Sequence, residues 1–342
     1  MRRTRPGSPR ALRPTNGNAA QRITPLPPEI RQDVRVPNSP TPSTLPLTGW
    51  VRAFAGLFLA AAAVLIAWCV VFGVRVVLAT EPLQRFLAAY PGEAPLPAGT
   101  AEGIPGFVSW THFLNAFFLV LIVRSGMRYR TEKRAGGLWT SKRVKKRRMS
   151  LALWSHIAVD VLWLVNGVVF VVLLFVSGHW VRIVPTTWEI IPNAVSAGLQ
   201  YASLDWPTHH SWANYNALQQ LSYAVIVFVA APIAALTGWR LSAFWPTTLN
   251  RFLPGPLAKA LHWPTMLFFV AFVVVHVLLV FTTGALRNLN AMYAGQDAVS
   301  WFGFWLFAGS IAVMVLAWFT ALRDDWIGKV AALFGDVRMM KR

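Results

Sequence analysis

Six long apolar stretches constrain the fold of this chain more than any other feature. A membrane-spanning helix requires about 20 mainly apolar residues, and each stretch reaches that length. They cover approximately residues 53–79, 107–127, 151–177, 217–239, 258–284 and 300–322. Only 13% of the 342 residues are charged, against about 25% in soluble proteins, which excludes an ordinary soluble enzyme. We predict an all-α integral membrane protein with six transmembrane helices, in which the second to fifth form a four-helix core.

The composition divides the chain into four parts. Residues 1–49 contain 10 of the 23 prolines and eight arginines. Few large apolar groups occur there, so burial cannot offset the entropy of ordering, and we predict a disordered Pro/Arg-rich cytoplasmic tail. The other parts are predicted to be an additional N-terminal transmembrane helix (50–79), a membrane domain (107–322) and a cytoplasmic C-terminal tail (323–342). The longest connections are rich in Pro, Gly, Trp and Tyr and are expected to form interfacial caps.

The placement of lysine and arginine predicts the orientation, because basic residues favour the cytoplasmic side. If the N-terminus lies inside, only four of the 32 basic residues lie outside: Arg75, Arg85, Arg182 and Arg287. Both termini are therefore predicted to be cytoplasmic. The same topology accounts for the net charge of +19 without a nucleic-acid partner. The basic segment from Arg128 to Arg148 fits either a topology anchor or a docking site for an acidic partner or anionic lipid.

Four of the seven histidines lie within apolar stretches, where ionisable side chains are rare and are candidates for function. They are His112, His156, His262 and His276. The other three, His179, His209 and His210, fall in a predicted outer loop. His262 and His276 are 14 residues apart in one helix, which places them about 21 Å apart along its axis and about 40° apart around it. They therefore face one side at opposite membrane depths.

The predicted topology gives each of these two histidines a partner at its own depth. His112 lies near the outer end of its helix, as His276 does, whereas His156 and His262 lie near the inner face. The pairs His112–His276 and His156–His262 could each supply both axial ligands of one haem iron, since neutral imidazole is a good iron ligand. With both axial positions filled, such an iron would transfer electrons without binding a substrate.

Other interpretations of these histidines stay open at this point. A proton relay or transporter would usually use intramembrane carboxyl groups as well, and only Asp160 lies in these stretches. The histidines could also be purely structural. A zinc site would need ligands clustered at one depth. The single cysteine, Cys69, excludes an intramolecular disulfide and a cysteine-ligated cluster.

Glycines near the histidines could admit a flat macrocycle or serve helix packing; these are Gly126, Gly167 and Gly284.

Several separated motifs resemble the bacterial di-haem cytochrome b family, and they occur in the same order. That family serves nickel–iron hydrogenase, formate dehydrogenase and thiosulfate reductase. The motifs are Trp110-Thr111-His112-Phe113-Leu114-Asn115-Ala116, Arg124-Ser125-Gly126, Asn166-Gly167, Ser177-Gly178-His179-Trp180 with Pro185, Tyr215-Asn216-Ala217-Leu218-Gln219-Gln220-Leu221-Ser222-Tyr223, Leu236-Thr237-Gly238, His276-Val277 and Thr283-Gly284-Ala285-Leu286-Arg287-Asn288-Leu289. The similarity covers roughly residues 107–320 and is greatest to the thiosulfate reductase branch.

The resemblance implies a membrane cytochrome b with two b-type haems in the bacterial plasma membrane. It implies the same four axial ligands, with His262 and His276 each serving one haem. Family members pass electrons between the quinone pool and a partner redox subunit, in this branch commonly a molybdopterin oxidoreductase. The chain would then be an electron-transfer subunit in respiratory electron transport and no catalyst on its own. The alternative from another class is a haem-free polytopic transporter or a membrane scaffold.

Two departures from the family pattern leave questions open. The stretch at 53–79 precedes the first haem-binding helix and should invert the core, so the face on which the partner docks is not fixed. No quinone-site motif can be transferred either. Asn115, Asn166 and Arg124 lie near the haem-binding helices. Each could contact a haem propionate, donate a hydrogen bond to quinone or join two helices.

Overall fold

A computed structural model describes residues 49–206 and 212–340 of the chain. The tail predicted to be disordered lies outside the described residues except for Gly49, and so do His209 and His210. The chain divides into two units, residues up to Ala60 and residues from Ala61 onward. The described part of the first unit is one helical segment with exposed side chains.

Helices account for most of the described chain. In order they are α1 (Gly49–Leu78), α2 (Glu81–Ala89), α3 (Gly106–Thr131), α4 (Leu151–Val176), α5 (Ile190–Ala202), α6 (Ala217–Val225), α7 (Ala231–Leu241), α8 (Gly255–Thr282), α9 (Ala285–Leu289), α10 (Phe302–Thr320) and α11 (Asp324–Ala332). The strands are β1 (Gly137–Ser141), β2 (Arg148–Ser150) and β3 (Gly335–Met339). Within the described ranges, six helices are long and apolar enough to span a membrane: α1, α3, α4, the continuous α6–α7, α8 and α10. The predicted all-α membrane fold is confirmed.

Local sequence signals explain where the core helices begin. The Ser150 hydroxyl accepts a hydrogen bond from Leu153 N (3.2 Å) and caps α4. Asn216 and Gln219 form a capping box at the start of α6, which satisfies two amide groups that the first turn leaves without partners. The α6–α7 span contains a π-helical turn at Ile226–Ala230, followed by Pro232, which has no N–H to donate to the regular helical ladder.

The core helices are joined by polar and aromatic contacts. α3 packs against α4, and α7 packs against α8. The Asn166 side-chain amide donates to Thr111 O (3.1 Å) and to Asn115 Oδ1 (3.0 Å), so both asparagines join α3 to α4. α10 packs on α3, where the Arg124 guanidinium lies 5.2 Å from the Trp318 ring centre. All three polar residues with open roles, Asn115, Asn166 and Arg124, thus form contacts between helices.

A three-stranded sheet closes one end of the bundle. β1 pairs antiparallel with both β2 and β3, and Trp139 on β1 is buried, with its indole N–H donating to Ala331 O (3.2 Å). Arg128 forms an ion pair with Asp324 and donates to Leu322 O. We call β1, β2, β3 and α11 the sheet platform. No strand was predicted within 323–342, because short strands that pair across the whole membrane domain leave no periodic signal in the sequence.

The opposite end of the bundle is closed by the cap, which we define as residues 80–105, 178–206 and 212–216. The predicted interfacial pieces are the short helices α2 and α5. A small apolar cluster there contains Ala94, Ile190, Ala194 and Ala217. Arg182 is only 2% exposed and donates to Gly103 O (2.5 Å) and Trp212 O (2.9 Å). Its charge is therefore satisfied by backbone carbonyl groups that tie three cap segments together.

We expect Gly303→Ala to destabilise the protein, because α10 approaches the backbone of residues 289–290 very closely there. A Cβ at position 303 would lie 2.5 Å from Asn290 N and 2.6 Å from Leu289 C. Overpacking of this kind costs about 1–3 kcal/mol. Thermal unfolding in detergent should show a lower midpoint for Gly303→Ala. Gly309→Ala, on the same helix with nothing within 4 Å of the added Cβ, is the control. Equal midpoints for both variants would contradict the expectation.

Candidate functional site

The four membrane histidines lie as two facing pairs. The ring centroids of His112 on α3 and His276 on α8 are 6.2 Å apart, with 59° between the ring planes. Those of His156 on α4 and His262 on α8 are 6.4 Å apart, with 87° between the planes. We call these the cap-side pair and the sheet-side pair. The structure thus brings together the residues that the sequence analysis paired, whereas their role as haem ligands stays a prediction.

Both spacings fit two imidazoles bound to opposite faces of one metal ion. A metal–imidazole bond of about 2.0 Å, with the ring centre roughly 1.1 Å beyond the nitrogen, places two opposed centroids about 6.2 Å apart. Among the described residues, no group of three or more His, Cys, Asp or Glu side chains could hold a metal ion. Two imidazoles alone form an incomplete protein site for a bare ion. They would supply both axial ligands of an iron whose other four ligands belong to a porphyrin.

Two hydroxyl groups hold the rings of the sheet-side pair. Ser125 Oγ on α3 lies 3.0 Å from His156 Nδ1, and Thr237 Oγ1 on α7 lies 3.0 Å from His262 Nδ1. In both cases a neighbouring helix supplies the hydroxyl. Because Nδ1 faces a hydroxyl in each ring, the other nitrogen, Nε2, is the one available to a metal.

A glycine follows each of these hydroxyl residues and lets the imidazole approach closely. A Cβ at Gly126 would lie 3.1 Å from His156 Cε1, and one at Gly238 would lie 3.2 Å from His262 Cε1. Of the three glycines considered from the sequence, only Gly126 contacts a histidine in this way. A Cβ at Gly167 or Gly284 would meet nothing within 4 Å.

The cap-side pair lies among aromatic rings. The rings of Tyr293 and His112 meet edge to face at 6.2 Å. Tyr223 meets the His276 ring at 6.5 Å, and Phe272 stacks on it at 5.7 Å. His112 Nδ1 is buried and has no hydrogen-bond partner in the part of the chain that the structure describes. The two pairs therefore differ in how the chain holds their rings.

A line of contacts connects the cap to the cap-side pair. The Arg182 guanidinium carbon lies 4.8 Å from the Tyr215 ring centre, and the rings of Tyr215 and Tyr223 meet at 5.3 Å. Burial raises the pKa of Tyr215, although the charge of Arg182 acts in the opposite direction. Burial also raises the pKa of Tyr293. Both phenols are therefore neutral and protonated around pH 7.

An aromatic contact lies between the two pairs. Phe269 is seven residues from His262 and seven from His276, so it shares their face of α8 at mid-height. It is buried and meets Trp163 of α4 edge to face at 6.1 Å. These rings fill the centre of the bundle between the two levels with apolar surface.

Other candidates from the sequence lie elsewhere or make weaker contacts. His179 lies at the cap end, where its ring meets Phe107 edge to face, and it belongs to neither pair. Asp160 Oδ2 lies 3.6 Å from His156 Nε2, which is too long for a hydrogen bond. The intramembrane carboxyl group is therefore a neighbour of the sheet-side pair without a bond to it.

The sequence profile of the prokaryotic cytochrome b561 proteins matches residues 103–295, more than half of the chain. This chain belongs to the prokaryotic cytochrome b561 family. The match begins just before α3 and contains all four paired histidines. Membership in this family makes the chain a multi-pass bacterial membrane protein that takes part in electron transfer through b-type haem. No curated protein and no solved structure matches the chain.

Sequence reasoning missed the side chains that hold the sheet-side pair. Ser125, Thr237 and Gly238 belong to motifs that carry the family resemblance, yet none was assigned a contact with histidine. The available signal was the repeated hydroxyl–glycine dipeptide, Ser125-Gly126 and Thr237-Gly238, on two helices beside histidine-bearing helices. Spacing along one helix cannot show which face of a neighbouring helix the dipeptide meets.

If the sheet-side pair binds a haem, as the sequence predicts, Gly126→Ala should reduce the occupancy of that site. The added methyl group would press on the His156 ring and move it away from its position opposite His262. Haem per chain and the reduced-minus-oxidised spectrum of the purified protein should show selective loss of one component. Gly167→Ala, on α4 with open space at the added Cβ, should retain the wild-type spectrum. The interpretation fails if the two alanine variants bind equal amounts of haem with identical spectra.

Proposed function

We propose that this chain is the membrane cytochrome b subunit of a respiratory complex and carries two b-type haems. The axial ligands would be His112 with His276 and His156 with His262. The subunit would pass electrons between the quinone pool and a partner redox subunit. By resemblance to the thiosulfate reductase branch, that partner would be a molybdopterin oxidoreductase.

The observation that carries this proposal is the presence of two facing imidazole pairs at two levels of one bundle. The 14-residue interval on α8 separates the levels by about 21 Å, a distance set by a rigid helix. A single pair could be a packing contact between ring side chains. Two pairs, each with centroid spacing close to that of bis-imidazole coordination, support two cofactors stacked across the membrane.

The chain's own residues would bind, orient and insulate the cofactors. A b-type haem, when bound, supplies reversible one-electron chemistry at iron. Ser125 and Thr237 orient the sheet-side imidazoles, and the tyrosines enclose the cap-side imidazoles. Phe269 and Trp163 keep the space between the levels apolar, which excludes water from the centre of the bundle.

We further propose that the sheet platform faces the cytoplasm. The β1–β3 pairing places the connection after α3 and the segment after α10 at the same end of the bundle. That end includes the exposed basic residues Lys142, Arg143, Lys145 and Lys146. The cap would then face the opposite side of the membrane, in accord with the low number of basic residues there.

Single histidine replacements test the ligand assignment. His262→Ala should remove the sheet-side haem and His276→Ala the cap-side haem, because each breaks one axial pair. Each variant should retain about half of the wild-type haem per chain, as measured by the pyridine haemochrome spectrum of purified protein. His179→Ala is the matched control and should retain both haems.

Two results would contradict this assignment. Wild-type protein that contains no haem after expression with sufficient haem supply would favour a haem-free scaffold or transporter. Full haem content in both His262→Ala and His276→Ala would exclude these residues as essential ligands while leaving the family assignment intact.

Cysteine labelling tests the orientation. In a Cys69→Ser background, Arg143→Cys places a thiol on the sheet platform, and Thr186→Cys places one on the cap. An impermeant maleimide should label Thr186→Cys in right-side-out vesicles and Arg143→Cys only in inverted vesicles. The reverse pattern would place the platform outside the cell and overturn the proposed orientation.

A further inference from the structure

Each of the two hydroxyls that contact the sheet-side pair lies within hydrogen-bond distance of a carbonyl group on its own helix and of an imidazole nitrogen. Ser125 Oγ carries one proton, which it donates to Ile122 O (3.1 Å) on its own helix. Thr237 Oγ1 likewise donates to Ile233 O (2.6 Å). A carbonyl group only accepts and a hydroxyl has one proton to donate, so both contacts are hydrogen bonds at once only when the histidine donates its Nδ1–H to the hydroxyl.

In that arrangement both sheet-side rings carry their proton on Nδ1 and a lone pair on Nε2. The pairing also fixes the rotation of each ring, since the hydroxyl belongs to a helix other than the one that bears the histidine. Ser125 on α3 holds His156 on α4, and Thr237 on α7 holds His262 on α8. Each of the four core helices thus contributes one side chain, either a histidine or a hydroxyl residue, to the sheet-side level.

The cap-side pair has no equivalent arrangement in the described residues. His112 Nδ1 is buried without a hydrogen-bond partner there, and His276 packs against the rings of Phe272 and Tyr223. The ring planes also differ, at 87° in the sheet-side pair and 59° in the cap-side pair. The chain therefore treats two chemically identical ligand sets differently.

We propose that Ser125 and Thr237 are positioning residues that tune the sheet-side haem separately from the cap-side haem. This inference rests on the proposed role of His156 and His262 as axial ligands. A hydrogen bond from Nδ1–H makes the opposite ring nitrogen more basic, and a more basic axial ligand favours ferric over ferrous iron. The two hydroxyls therefore lower the reduction potential of the sheet-side haem and fix the mutual orientation of its axial rings.

Potentiometric titration of the haem-loaded full chain tests the proposal. Ser125→Val and Thr237→Val remove the hydroxyl, whereas Ser125→Thr and Thr237→Ser retain it. The sheet-side step is identified as the one that disappears in His262→Ala. At the wild-type midpoint of that step, the ratio of reduced to oxidised haem should rise about three- to tenfold in the valine variants, and tenfold corresponds to 59 mV. The cap-side step should not move.

Low-temperature EPR of the oxidised protein gives a second readout, because the g values of bis-imidazole ferric haem depend on the angle between the ring planes. The sheet-side signal should change in the valine variants and stay near wild type in the hydroxyl-retaining variants. Ser125→Thr and Ser125→Val have the same shape and differ by the hydroxyl, so a difference between them excludes simple crowding. Thr320→Val, which removes a hydroxyl bonded only within α10, is the control.

The outcomes separate this inference from the proposed function. Selective change or selective loss of the sheet-side haem in the valine variants, with retention in Ser125→Thr and Thr237→Ser, supports the inference. Two haems with unchanged potentials and EPR signals in the valine variants overturn it and leave the proposed function standing. Equal shifts of both haems also overturn it. A wild-type chain without haem, in contrast, overturns the proposed function itself.

Discussion

The cost of placing a polar ring nitrogen in hydrocarbon constrains where the membrane histidines of this bundle can lie. An imidazole that faces lipid would have no partner for its N–H group, and an unsatisfied group costs several kcal/mol there. All four membrane histidines instead face one another across the bundle interior. At the sheet-side level, Ser125 and Thr237 meet the remaining ring nitrogens. These contacts join α3 to α4 and α7 to α8 at the sheet-side level, whereas His112 Nδ1 at the cap-side level has no hydrogen-bond partner among the described residues.

The ends of the bundle are built differently from its centre. The sheet platform buries Trp139 and Leu151 against the ends of α3 and α10, and the cap buries the charge of Arg182 among carbonyl groups. The sheet platform and the cap are both made from segments that face water, where ordinary polar contacts can form. The centre relies on few packed side chains, and Phe269 and Leu121 are buried between the two levels.

Much of this architecture could be predicted because its signals are local or geometrically rigid. The six spans follow from apolar length, and the matching of His112 with His276 follows from helix geometry combined with basic-residue asymmetry. The family resemblance adds the cofactor class. These inferences require no knowledge of which helix faces which.

What sequence reasoning could not give depends on contacts between helices or across long intervals. Ser125 and Thr237 both donate to carbonyl groups on their own helices, which is the usual behaviour of such residues in membranes. Nothing in that pattern shows that each also contacts a histidine Nδ1. The sheet was missed for a related reason, since β1 and β3 are short and pair only after most of the membrane domain has intervened.

The sheet has a consequence for the order of biosynthesis. The indole of Trp139 donates to a carbonyl 192 residues later in the chain, so its burial waits until β3 and α11 have been translated. At about 5–20 residues per second, this delay is roughly 10–40 seconds. Early in that interval β1 and β2 have already been translated, while most of the membrane domain has not. Closure of the sheet is therefore a late step that can occur only once α10 has crossed the bilayer in the correct direction.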